Sequence, residues 1–141
     1  MPYRSVRFLF HGTSAEAADF ITQGDFRIDK AGSNAGTLYG RGVYLAESCS
    51  KSDEYCTPDE KDRRYILVCR ASLGRLLYND ESRPNVDRLV RSCVGGGFHA
   101  LLGDREKCSG TFKEIIVYDD NRVYPEYIVL YKRGYKKKSV S

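Results

Sequence analysis

No apolar run in the 141 residues approaches the ~18 that a membrane-crossing helix needs. The N-terminal apolar stretch, Phe8-Leu9-Phe10, is too short for the core of a secretory signal. Proline and glycine, at 4 and 13 residues, are too few for a fibrous or disordered chain. None of the five cysteines stands in C-x-x-C spacing with another, so neither a zinc knuckle nor a thioredoxin-type site is indicated. Their odd number and scatter, at Cys49, Cys56, Cys69, Cys93 and Cys108, suit free thiols in a reducing compartment, cytosol or nucleus. Internal repeats, low-complexity tracts and interior linkers are missing too. One domain accounts for the length, and it is large enough to bury roughly two-thirds of the unfolded chain's surface without a staple.

The body of the chain also lacks a net positive charge. The total is +4, from 23 Lys+Arg against 19 Asp+Glu. Five of the basic residues are Lys132, Arg133, Lys136, Lys137 and Lys138, with no acidic residue among or after them. The preceding residues therefore carry 18 positive and 19 negative charges. Bulk basicity belongs to the end of the chain and does not argue for nucleic acid; such a run is usually a solvated end or a localisation signal.

What is present reads as several strands with few short helices, an α+β pattern built on antiparallel sheet. Arg4 to Phe10 alternates weakly and suits a strand leading into His11-Gly12. Thr13 with Glu16 forms a capping box for a helix whose Ala17, Phe20 and Ile21 share one face and whose end falls at Gly24 in a left-handed cap. Gly32, Gly36, Gly40 and Gly42 exclude regular structure from most of 32–42. Val43 to Ala46 reads as a short buried strand, and Ser48 or Ser50 is placed to cap a short helix through Tyr55. Tyr65 to Leu73 is apolar on both faces, as in a central strand, and Val86 to Val90 suits a helical turn. Phe112 to Tyr118 and Val123 to Tyr131 are expected as strands of one hairpin across Asp119-Asp120-Asn121-Arg122, with Pro125 near the start or an edge of its strand.

Four groups stand out chemically: His11-Gly12 after a strand, the glycine-rich lead into Tyr44, the cluster from Ser48 to Tyr55, and Glu126. Singly, each has an ordinary structural explanation. Gly40-x-Gly42 lacks the rest of a dinucleotide fingerprint and its βαβ setting. Glu126 is conspicuous because Tyr124-Pro125-Glu126-Tyr127-Ile128-Val129 surrounds a carboxylate with apolar groups. Facing a cleft, it would anchor hydroxyls and stabilise the positive charge of an oxocarbenium-like glycosyl transfer.

Together the groups decide the reading. Leu9-Phe10-His11-Gly12-Thr13, Leu38-Tyr39-Gly40-Arg41-Gly42-Val43-Tyr44-Leu45-Ala46-Glu47, Ser50-Lys51-Ser52-Asp53-Glu54-Tyr55 and Tyr124 to Val129 occur in one order. In that order they resemble the catalytic domain of the poly(ADP-ribose) polymerase family, within the diphtheria-toxin-like ADP-ribosyltransferases and nearest to the tankyrase branch. The resemblance runs from about Arg7 to Lys132. It implies an α+β ADP-ribosyltransferase fold, an antiparallel split β-sheet core with few short helices. It places a catalytic domain over 1–133 and a basic flexible tail over 134–141.

The resemblance also implies roles. His11 bonds the adenosine ribose of NAD, Gly12 clamps the nicotinamide carboxamide through its backbone, and the Ser52 hydroxyl completes that clamp. Tyr44 and Tyr55 sandwich the nicotinamide ring, Lys51 lies near the catalytic carboxylate and acceptor, Thr13 and Ala46 line the dinucleotide site, and Arg27 contacts its adenosine end. Glu126 bonds the 2′-hydroxyl of the nicotinamide ribose, which makes His11, Tyr44 and Glu126 the H-Y-E triad of polymer-forming members. Members restricted to single transfers usually carry an apolar residue at the glutamate position, although some H-Y-E members also add one unit.

The implied function is NAD-dependent transfer of ADP-ribose to protein side chains, with release of nicotinamide and elongation of poly(ADP-ribose). NAD is the co-substrate and no metal is required. Acceptors are proteins, including the enzyme itself. Nucleic acid and membrane are not needed, and the catalytic unit is monomeric. Single transfer, or a non-catalytic module that binds NAD or a partner, is the competing expectation. The segment 29–39 corresponds to a loop over NAD, with Gly32, Ser33, Asn34, Ala35 and Gly36 as its small, flexible part. The segment between Cys93 and Thr111 borders the acceptor, with His99 a surface histidine. Three departures stand out. Cys56-Thr57-Pro58-Asp59-Glu60 runs almost directly into the next strand, where tankyrases carry a zinc-binding insertion. The motifs begin by residue 11, leaving no counterpart of an autoinhibitory helical subdomain. Leu45 stands where an aromatic is usual, a tolerated core swap. A bare catalytic unit of this length suggests a piece of a larger architecture.

Overall fold

A computed structural model describes residues 6–28 and 38–134. The glycine-rich part of the loop expected over NAD, and the end of the basic tail, lie outside the described residues.

Among the described residues, seven strands form two sheets. Strands β1 (Val6–Thr13), β3 (Arg64–Ser72) and β7 (Val123–Tyr131) make an antiparallel sheet in the order β1-β3-β7. Strands β2 (Val43–Leu45), β4 (Leu76–Asn79), β5 (Ala100–Gly103) and β6 (Glu114–Val117) make a second sheet in the order β2-β6-β5-β4. Four short helices accompany them among the described residues: α1 (Ala15–Gly24), α2 (Cys49–Asp53), α3 (Val86–Cys93) and α4 (Arg105–Ser109). The α+β class follows the sequence expectation, with one departure from antiparallel pairing: β4 runs parallel to β5.

The sheets meet at one bridge, where Phe10 and Ala46 exchange main-chain hydrogen bonds of 2.8 and 2.9 Å. One core lies between the sheets and α1, built on Leu9, Leu67, Cys69, Ala71, Leu45, Ile115 and Val117, with Ala18 and Ile21 from the helix. A second packs α3, through Leu89 and Cys93, onto the other face of the second sheet at Leu101, Ile116 and Tyr39. β3 is central to its sheet, as its two-sided apolarity requires. β7 is an edge strand, yet Tyr127 to Leu130 are all exposed, Tyr127 by 63%.

Four local expectations need correction. The cap of α1 is Ser14, whose hydroxyl accepts from Ala17 N–H at 3.1 Å; Thr13 is still the last residue of β1, so the capping position moves one residue on. The buried face of α1 is Ala18 and Ile21, while Phe20 is 52% exposed. The chain leaves α1 through Asp25, at φ 65°, and not through a left-handed Gly24. Finally, β6 and β7 are not a hairpin. The polar link folds into a 3₁₀ turn, Asp120–Arg122, that carries the chain from one sheet to the other. Asp120 stabilises this crossing by accepting from Ile28 N–H at 2.9 Å, and Arg122 donates to the Ser72 carbonyl at 3.3 Å. Elsewhere Ser48 caps α2, and α3 runs past the expected turn to Cys93. Pro125 sits on the edge strand, as its missing N–H demands. No helix among the described residues is long and apolar enough to cross a membrane.

Tyr39 is fully buried, with its ring against Gly103, where an added methyl would meet ring atoms at 2.5 Å. Replacing Gly103→Ala is expected to lower stability by about 1–3 kcal/mol through overpacking, read as a reduced midpoint in urea with an unchanged slope.

Candidate active site

The site forms along the seam between the sheets. At the end of β1, Gly12 is so close to α2 that a methyl on it would overlap the Ser52 carbonyl and lie 3.0 Å from the Cys56 sulfur. Only glycine permits that approach. Ser52 is consequently buried. Alternation along β1 turns the neighbouring His11 ring to the opposite face of the strand, where it meets Phe26 edge-on with centroids 5.1 Å apart. His11 Nδ1 lies 2.9 Å from the Tyr44 carbonyl. A carbonyl only accepts, so Nδ1 carries the proton and Nε2 is left as the acceptor in the neutral ring. Burial holds the imidazole below its ordinary value of 6.5, partly offset by that bond to Tyr44, so the ring is neutral at pH 7.

Tyr44 stands on β2 opposite Ile116 of β6. Its hydroxyl accepts from Tyr39 N–H at 2.9 Å and donates to the Gly40 carbonyl at 2.7 Å, which ties the end of the glycine-rich segment to the wall of the site. Burial, together with the Glu114 carboxylate, pushes the Tyr44 phenol far above its usual range.

Past the end of α2, the Tyr55 hydroxyl donates to Glu114 Oε1 in a short hydrogen bond. Glu114 opens β6 opposite Gly103, is only 5% exposed, and has Lys51 Nζ at 3.9 Å. Lys51 also pairs with Glu54 at 3.1 Å and lies 5.3 Å from the Tyr55 ring centroid. Burial and the Glu114 carboxylate both drive the Tyr55 phenol upward, so it keeps its proton and acts as a donor. A buried carboxylate, a phenol, an ammonium and two tyrosine rings thus converge where β2, β6 and α2 meet. That set suits a flat heteroaromatic between rings and a cationic centre beside a carboxylate.

The remaining expected residues are placed less uniformly. Thr13 ends β1 opposite Tyr65, beside the site. Arg27 is exposed, just after Phe26. Ala46 spends both backbone groups on Phe10, so it joins the sheets rather than offering a main-chain group to a ligand.

Glu126 does not join the cluster. The register between β3 and β7 slips here, with Val68 opposite Tyr127 but Cys69 opposite Pro125, which makes Glu126 the extra residue of a bulge. Bulges re-aim side chains, and this one sets Glu126 Oε2 3.4 Å from Arg70 Nε, with Arg70 over the Tyr124 ring. Three strand spacings separate β7 from Tyr44's strand, roughly 14 Å at ordinary strand separation. The carboxylate at the site is Glu114, which sequence reasoning missed. Its signal was a carboxylate abutting Ile115-Ile116-Val117, a run that pairs with the strand of Tyr44.

Comparison with known proteins gives this arrangement a class. The family profile for the poly(ADP-ribose) polymerase catalytic domain matches residues 3–99, and the chain belongs to that family. It is 32% identical to poly [ADP-ribose] polymerase tankyrase of Caenorhabditis elegans over 158 residues, 89% of this chain and 7% of that protein. It is 29% identical to protein mono-ADP-ribosyltransferase PARP12 of Mus musculus over 92% of this chain and 17% of that protein. Poly [ADP-ribose] polymerase 2 of Caenorhabditis elegans is 28% identical over 99% of this chain and 27% of its own length. The chain therefore spans between 7% and 27% of these three relatives. The profile match holds His11, Tyr44 and Tyr55 and ends before Glu114 and Glu126.

Because His11 is neutral in the fold and takes a proton once unfolded, acid favours the unfolded chain. Stability should fall as pH drops below about 6.5, the ordinary histidine value, towards the depressed native one. His11→Gln should flatten that part of the melting-temperature profile.

Proposed function

We propose that this domain transfers ADP-ribose from NAD to protein acceptors with release of nicotinamide, and that Glu114 takes the part that the sequence resemblance gave to Glu126. The observation that carries the reading is the buried Glu114 carboxylate, held by the Tyr55 hydroxyl and accompanied by Lys51. In the step, the bond between the nicotinamide nitrogen and the ribose anomeric carbon breaks, and its electron pair leaves with nicotinamide. An acceptor oxygen then bonds that carbon and loses its proton. Glu114 accepts a hydrogen bond from a ribose hydroxyl, stabilises the oxocarbenium-like charge and draws the acceptor proton. Tyr55 fixes the carboxylate, so little reorganisation is needed as charge develops.

His11, Tyr44 and Glu114 are the triad in this reading. Tyr44 and Tyr55 stack the nicotinamide ring, the Gly12 backbone and the Ser52 hydroxyl hold its carboxamide, and His11 Nε2 accepts from the adenosine ribose. A glutamate in this position supports chain elongation as well as first transfer. The names of the relatives cover both outcomes, poly [ADP-ribose] polymerase for tankyrase and mono-ADP-ribosyltransferase for PARP12.

Incubation with labelled NAD, followed by gel separation, tests the proposal. A high-molecular-weight ladder is expected; a single discrete band would restrict the activity to one unit, and no label on any protein would refute transfer. Glu114→Gln is expected to reduce labelling by about 10²–10³-fold, within the range of a lost acid–base group, with NAD still bound. Glu126→Gln should label within about threefold of the unaltered protein, since its partner is the exposed Arg70. The reverse ranking of these two variants would return the role to Glu126.

A further inference from the structure

Helix α2 is only five residues long, too short to hold itself together, yet it bears Lys51 and Ser52 and leads into Tyr55. Its N-terminus has a local cap, Ser48, which accepts from Ser50 N–H at 3.2 Å. At its other end the Asp53 side chain leaves the helix altogether. One Asp53 oxygen accepts from the Tyr131 hydroxyl and the other from the Arg133 guanidinium, both in short contacts. Tyr131 is the last residue of β7, and Arg133 follows two positions later.

Sheet geometry shows why this contact reaches the site. Gly12, Ile66 and Val129 lie opposite one another across β1, β3 and β7, and Arg64 with Tyr131 forms the next row on the same face. α2 packs on that face, pressed onto Gly12 by the Ser52 carbonyl. Cys56, one turn on, gives its thiol hydrogen to the Ser52 and Tyr65 carbonyls at 3.4 and 3.2 Å, and lies 3.7 Å from the Tyr131 hydroxyl. The short helix is thus fixed on one side by Gly12 and on the other by the end of β7. The Arg133 guanidinium, more than any other group, holds the Asp53 carboxyl below its usual range, so the tether is ionic at neutral pH.

We infer that Asp53, through Tyr131 and Arg133, is a positioning residue that sets the Ser52–Tyr55 wall against Gly12 and thereby the affinity for the nicotinamide end of the dinucleotide. The inference rests on the function proposed above. Asp53 touches neither substrate nor Glu114. It acts through the placement of α2, and its removal weakens substrate binding while leaving the chemistry at Glu114 in place. Part of the basic end of the chain acquires a structural task as well, because Arg133 is one of the five positive charges beyond residue 131.

The test compares Asp53→Ala, Tyr131→Phe, Arg133→Ala and Arg133→Lys in the full chain. Steady-state NAD turnover and backbone amide exchange over 49–56 are both measured. Asp53→Ala is expected to raise KM for NAD about tenfold, the scale of a lost charge-assisted hydrogen bond, with kcat within about twofold. Tyr131→Phe should follow in the same direction, and Arg133→Lys should lie closer to the unaltered protein than Arg133→Ala. Amides of 49–56 should exchange faster in Asp53→Ala, while those of β3 stay unchanged. An unaltered KM, or a kcat that falls in step with the melting temperature, overturns the positioning role, as does unchanged exchange in α2. If the unaltered protein neither binds nor consumes NAD, the proposed function fails, and the exchange measurement still decides whether the tether holds the helix.

Discussion

The Phe10–Ala46 bridge is the contact on which the rest of the architecture depends. Two main-chain hydrogen bonds are the direct join between a three-stranded and a four-stranded sheet. On one side of that join stand His11 and Gly12, and on the other Tyr44, with β6 and Glu114 beyond. Had the sheets merged over a longer ladder, the strands would lie flush, without a step between Gly12 and Tyr44. Because their main chains join at one bridge among the described residues, α2 settles beside it and closes the third side with Ser52 and Tyr55.

The chemistry then follows from what a buried carboxylate requires. Glu114 is removed from water, and a carboxylate in that position is tolerated only with partners that replace its hydration. Tyr55 gives it a hydrogen bond and Lys51 a counter-charge. The same groups that make burial tolerable also orient it, so in the proposed reaction stability and reactivity draw on one set of contacts. Glu126 is held differently: at a bulge on an edge strand it pairs with an exposed arginine, and its buried Oε2 has no hydrogen-bond partner among the described residues.

Much of this was legible in the sequence, because it is encoded locally. The apolar run of β3, the short strand through Tyr44, the serine cap of α2 and the strand ending at His11-Gly12 each follow from neighbouring residues. The misreadings concern partners far apart in the chain. Asp119 to Arg122 has the length and polarity of a hairpin turn, but whether flanking strands pair is decided by what Asp120 and Arg122 hold, Ile28 and Ser72. Glu126 drew attention because its neighbours are apolar, yet local hydrophobicity does not say whether a bulge intervenes. Glu114 falls inside the expected strand Phe112 to Tyr118, and the partner that satisfies it in burial is Tyr55, 59 residues earlier. At the start of α1, Thr13 and Ser14 are both competent caps; the ladder with β3 claims the first and leaves the second.

The contact between Gly12 and the Ser52 carbonyl has a consequence in evolutionary terms. Any side chain at position 12 would displace α2, and with it Lys51, Ser52 and Tyr55. Conversely, a helix that drifted away would leave a glycine with nothing to accommodate. The constraint falls on position 12 by itself, because the group it meets is a main-chain carbonyl that any residue at 52 would present. Chains that keep this packing should show glycine at 12 however far the surrounding surface diverges.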